Sequence, residues 1–156
     1  MSFFIAMLVN GIAMNSRLHP FGNVLKLLLE VETEMIRGIK FISIPVKDQD
    51  AALKFYTDVL GFKVVTDQEF IPGGQRWIEL SIPGADTGLS LFTPEGHENR
   101  IGTFQPISFW CDDVFQTTEV LKQRGTKFFQ NPKKESWGTS AIFEDLEGNK
   151  FVLSSR

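Results

Sequence analysis

Residues 39–62 read IKFISIPVKDQDAALKFYTDVLGF, and their pattern changes twice. From Ile39 to Val46 the side chains alternate. Ile42, Ile44 and Val46 share one face and Phe41, Ser43 and Pro45 the other, as in a strand buried on one side. Asp48-Gln49-Asp50 then offers capping residues for a helix in which Ala52, Phe55, Tyr56, Val59 and Leu60 recur at helical spacing. Gly61 is placed to end that helix.

Further strands are expected at Phe62–Phe70, Arg76–Ile82 and Gly88–Thr93, separated by turns at Pro72-Gly73-Gly74 and Pro83-Gly84. The same order then recurs. Pro106–Cys111 reads as a strand, Asp112-Asp113 as a cap, Val114–Arg124 as a helix stopped by Gly125, and Lys127–Gln130, Thr139–Phe143 and Lys150–Ser154 as strands. Asp48 and Asp113 each lie seven residues after the matching strand residues, Phe41 and Pro106. The expected class is α+β: paired βαβββ units over 39–93 and 106–154, forming two mixed sheets that curl around a cavity, with the helices outside.

With 156 residues, 42% of them hydrophobic and 22% charged, one globular domain is expected. Sixteen basic residues against nineteen acidic ones give a net charge of -3, and Lys133-Lys134 is the one adjacent basic pair. No phosphate-binding stripe follows from that distribution, so nucleic acid is not an expected partner. A single cysteine, Cys111, excludes an internal disulfide and suits a reducing cytoplasm. Its apolar surroundings favour a buried inert thiol over a nucleophile.

Residues 1–34 read differently from the rest. MSFFIAMLVNGIAM is apolar, but Asn10 and Gly11 interrupt it and no basic residue precedes it, so neither a membrane span nor a secretory signal is expected. NVLKLLLEVETE can form two helical turns. The expectation is a loosely attached extension over 1–34, or one produced by an upstream start codon, followed by the domain at 35–156. A membrane-surface anchor is the alternative for the extension.

The phrases IPVKDQDAALKFYTDVLGF, ISFWCDD and WGTSAIFEDLEGNKFVLSSR resemble the vicinal oxygen chelate superfamily, which includes glyoxalase I, bleomycin resistance proteins and extradiol dioxygenases. Asp48, Phe55-Tyr56, Leu60-Gly61-Phe62, Asp113, Trp137-Gly138, Asp145 and Gly148-Asn149 carry the likeness, from about Ile36 to the C-terminus. The resemblance implies a homodimer. In metal-using members each unit supplies a ligand from its first and last strands, and a divalent ion held by imidazole and carboxylate keeps positions open for vicinal substrate oxygens. Carried onto this chain, those positions are Phe41, Ser90, Pro106 and Val152, none of them a competent ligand. His97, between Glu95 and Glu98, reads as a solvated linker rather than a relocated metal site. No metal and no other cofactor is therefore expected.

Strand parity gathers other side chains onto the old ligand face: Ser43 with Phe41, Phe92 with Ser90, Ser108 and Trp110 with Pro106, and Ser154 with Val152. Ile78 and Leu80 suit the helix side, which turns Trp77 and Glu79 toward the cavity. The expected site is an aromatic cup with sparse polar groups, suited to a small organic molecule. Glu79 is its one carboxylate. Burial beside Trp77 would raise its pKa and make it a general base, or it could stay ionised and pair with a cationic ligand; a salt bridge to Arg76 or Arg100, or exposure to water, is the plainer outcome. Trp137 reads as a lid or as packing, Arg76 as an anion-steering or simply exposed residue, and Lys133-Lys134-Glu135 as a solvated loop.

GxGxxG and GxSxG motifs are absent. The expected function is metal-independent binding of an apolar or aromatic molecule, for sequestration or resistance. The alternative is a glyoxalase-like lyase or isomerase, ahead of a dioxygenase, with Glu79 as base or a relocated metal. A non-catalytic dimerisation module is a third reading.

Overall fold

Asp48 leaves the first strand in an extended conformation and accepts the main-chain N–H groups of Asp50 and Ala51, which starts a helix at the place its sequence marks. The computed structural model describes residues 36–70 and 72–155. The extension expected over 1–34 lies outside them.

The elements run β1 (Phe41–Pro45), α1 (Gln49–Lys54), β2 (Lys63–Glu69), β3 (Arg76–Ser81), β4 (Gly88–Phe92), β5 (Phe104–Trp110), α2 (Val114–Gln123), β6 (Lys127–Glu135), β7 (Gly138–Glu144) and β8 (Lys150–Ser154). A π-helical turn, Phe55–Val59, continues α1, and Gly61 leaves it at a φ of 80° that favours glycine. One sheet has the order β1-β4-β3-β2 and the other β5-β8-β7-β6. In each, the first and last strands of the unit pair in parallel and the remaining pairs are antiparallel. The paired βαβββ architecture is thus present.

Three details differ from the sequence reading. β5 begins at Phe104 rather than Pro106. Lys133-Lys134-Glu135 is not a loop but the end of edge strand β6, paired with Ser140, Thr139 and Gly138. Main-chain pairing outweighs the polar composition there, and Pro132 is accommodated where the register shifts between Gln130 and Lys133. Finally, the sheets do not close on one another: each is a separate four-stranded sheet.

The core lies on the helix side of both sheets and is continuous between the units. Ile44, Ile78, Leu80, Leu89 and Leu91 of the first sheet join Ala141, Phe143, Phe151 and Leu153 of the second. Aromatic rings carry the join, with Phe62 6.0 Å from Phe109 and Phe109 5.6 Å from Phe151. The opposite faces open to solvent, with Trp77 36% and Trp110 56% exposed. Among the described residues no helix is long and apolar enough to cross a membrane.

Candidate functional site

On the open face of the first sheet, cross-strand register aligns Ser43 of β1, Ser90 of β4 and Glu79 of β3 in one row. The Ser43 and Ser90 hydroxyls are 2.8 Å apart. Phe41 meets Trp77 edge to face, with centroids 5.3 Å apart, and the Arg100 guanidinium lies 5.5 Å from the Phe92 ring centre. Sequence parity therefore places Phe41, Ser43, Trp77, Glu79, Ser90 and Phe92 on one surface, with Ile78 and Leu80 fully buried behind it. Glu79 is paired with Lys40, not with Arg76 or Arg100: Lys40 Nζ donates to its Oε2 at 3.3 Å. Arg76 is held instead by Asp50 at 2.6 Å and Asp67 at 3.1 Å, so its charge is already answered.

The second sheet has a smaller counterpart. Ser108 and Ser154 hydroxyls are 3.0 Å apart, Val152 pairs with Ser108, and Trp110 pairs with Ser154. Pro106, Ser108 and Trp110 are exposed while Gln105 is buried, which is the alternation expected of a strand with one open face. Trp137, just before β7, is 69% exposed.

One cavity was not legible in the sequence. A groove of about 690 Å³ is lined by Ile39 and Ile42 of the first strand region, by the turn between β3 and β4, and by Ile107 to Asp112, which brings the predicted Ser108 and Trp110 to its wall. Its lining joins residues far apart in the chain, which strand alternation alone does not bring together. A second, polar cleft of about 890 Å³ surrounds the start of α1, where Gln49 donates to the Arg76 and Leu91 carbonyls.

Between the units lies a buried polar knot. Asp145 accepts from the Tyr56 hydroxyl at 2.9 Å, from Asn149 Nδ2 at 2.8 Å and from the main-chain N–H groups of Glu147 and Asn149 at 2.9 Å. Asn149 also donates to the Pro45 carbonyl and accepts from Gly102. Burial raises the Asp145 carboxyl above its ordinary value against the pull of these donors. Burial, then the Asp145 charge, pushes the Tyr56 hydroxyl well up. This knot is structural: it fixes the loop before β8.

The residues present do not fit a divalent metal. Phe41, Pro106 and Val152 offer no donor atoms at the positions where the resemblance places ligands. Among the described residues no three His, Cys, Asp or Glu side chains cluster to hold an ion. His97 is exposed, and the Glu98 carboxyl is held below its ordinary value by hydrogen bonds from the main chain of Glu98 itself and of Gly96.

Fold and faces together define a paired βαβββ domain with aromatic and hydroxyl side chains on the open face of its first sheet. Residues 38–153 match the family model described as Glyoxalase/Bleomycin resistance protein/Dioxygenase superfamily, and the chain belongs to that family. It is 33% identical to YetH, an uncharacterized protein of Bacillus subtilis (strain 168), over 76% of this chain and 98% of that one. A family member of known structure from Sphaerobacter thermophilus DSM 20745 is 32% identical, with a TM-score of 0.71, covering 78% of this chain and 99% of that one. TnmS3, an antibiotic binding protein from Streptomyces sp. CB03234, is also 32% identical, with a TM-score of 0.67 and coverage of 78% and 97%.

Proposed function

We propose that this protein binds a small, largely apolar or aromatic organic molecule without a metal ion and sequesters it, as an antibiotic-binding relative would. The observation that carries this reading is the first sheet's open face. The edge-to-face pair Phe41–Trp77 offers an apolar corner with an aromatic face on it, and Ser43 and Glu79 beside it supply sparse orienting polar groups. Its resemblance in sequence and fold to TnmS3, an antibiotic binding protein, supports a small organic ligand.

The partly exposed Trp77 at the edge of this face fits a homodimer in which a second copy walls the site rather than filling it. Reaction chemistry is not needed by this reading. The single cysteine fits a cytoplasmic setting.

The test is a titration of the purified protein with planar aromatic antibiotics and the neutral dye Nile red, followed by tryptophan quenching and calorimetry, with mass measured by light scattering. Saturable binding that Trp77→Ala weakens by about tenfold or more is expected, because a stacked aromatic contributes on that order. Binding that is unsaturable, or indifferent to Trp77, would overturn the assignment of this face.

A further inference from the structure

Glu79 is an awkward residue for a surface that only stacks aromatic molecules. Its side chain is 12% exposed, and a carboxylate so far removed from water needs a partner. Among the described residues its one hydrogen-bonding partner is the Lys40 ammonium, whose own side chain is 75% exposed. A long, solvated lysine in so exposed a pair is weakly fixed, because screening and side-chain entropy offset most of the attraction.

The position of that ammonium is informative. Nζ of Lys40 is 3.3 Å from Glu79 Oε2 and also 5.6 Å from the centre of the Phe41 ring, within the range of a cation–π contact. Phe41 in turn abuts Trp77, which lies two residues before Glu79 on the same face of β3. A carboxylate, an aromatic face and an adjoining aromatic platform therefore converge on one point, and the chain's own ammonium occupies it.

We propose that this point is a recognition site for an organic ammonium, and that Lys40 is its built-in occupant. The ligand class is an aromatic or apolar molecule bearing a protonated amine. Its ring system lies against Trp77 with Phe41 at its edge, and its ammonium displaces Lys40 to pair with Glu79. Lys40 swings into water, where its charge is fully hydrated, so the exchange leaves no buried charge unpaired. The inference rests on the sheet face being the ligand site and adds the charge of the ligand. It also makes Lys40 a competitor rather than a contact, which a purely structural ion pair would not be.

The experiment compares two probes of nearly equal shape, 2-naphthylmethylammonium and 2-naphthylmethanol, by calorimetry at low ionic strength. The wild-type protein is expected to bind the ammonium about tenfold more tightly than the alcohol. Lys40→Met is expected to tighten the ammonium several-fold further and leave the alcohol unchanged. Glu79→Gln should erase the preference, and in that background Lys40→Met should have no effect. Equal affinities for both probes in wild type and in Lys40→Met would overturn the cation assignment while leaving the aromatic face intact. Failure of both probes to bind would overturn the sheet-face site as well. Circular dichroism and thermal midpoints of each variant show that it is folded before binding is read, and the wild-type comparison of the two probes tests the cation assignment even if neither variant folds.

Discussion

The Tyr56 hydroxyl donates to Asp145 Oδ2 at 2.9 Å, and that bond ties the helical turn of the first unit to the loop before the last strand of the second. Both residues are buried, and Asn149 completes the link by reaching from the same loop to the Pro45 carbonyl. The two units are thus held by a satisfied polar knot as well as by the aromatic contacts of Phe62, Phe109 and Phe151.

Tyr56→Phe keeps the ring and removes one donor, leaving Asp145 with one fewer partner in a buried setting. The expected cost is about 1–3 kcal/mol. It would be read as a lower urea midpoint with an unchanged slope. An unchanged midpoint would show that the bond contributes nothing to joining the units.

Asp145 also sets a pH dependence. Burial raises its folded value above the ordinary 3.8, so the folded protein holds this proton more readily than the unfolded chain. Between those two values the folded state carries more protons, and the contribution of Asp145 to stability falls as pH rises through its folded value. Urea midpoints measured across the acid range should show this component in the wild type and lose it in Asp145→Asn. The same variant should be less stable at neutral pH, since its amide N–H groups would face the donors of Tyr56 or Asn149. A wild-type and variant pair with parallel pH profiles would sink the assignment.

Gly88 opens β4 where a Cβ would lie 2.5 Å from the Leu80 carbonyl oxygen. Gly88→Ala must push β3 and β4 apart beside Phe41, which pairs with Gly88 across the sheet. A loss of roughly 1–3 kcal/mol is expected from such overpacking. Ligand affinity should fall with it, because the Phe41–Trp77 contact depends on the same strands. A thermal midpoint equal to that of the wild type would mean the strands yield without strain.

Metal independence is tested by elemental analysis of the purified protein and by thermal shifts with Ni²⁺, Zn²⁺, Mn²⁺ and Fe²⁺. The expected result is sub-stoichiometric metal and no stabilisation, since a bound ion raises the midpoint by mass action. A stoichiometric ion would reverse the reading and direct attention to Glu95, His97 and Glu98.

The repeated βαβββ order was legible in the sequence, and so was the face of the strand residues around Phe41 and in β3. Alternation has a period of two residues and is enforced by burial on one side, so Ile78 and Leu80 could be separated from Trp77 and Glu79 without coordinates. Capping by Asp48 and Asp113 was legible for the same reason: the chemistry is local. Partners far apart in the chain were not. Glu79 pairs with Lys40 rather than with either arginine suggested by the sequence, and Arg76 turns to Asp50 and Asp67. The groove between β1 and β5, the strand character of Lys133–Glu135 and the openness of the two sheets were decided only in three dimensions. Each depends on how one unit is set against the other or on main-chain pairing across a bulge, and composition carries neither.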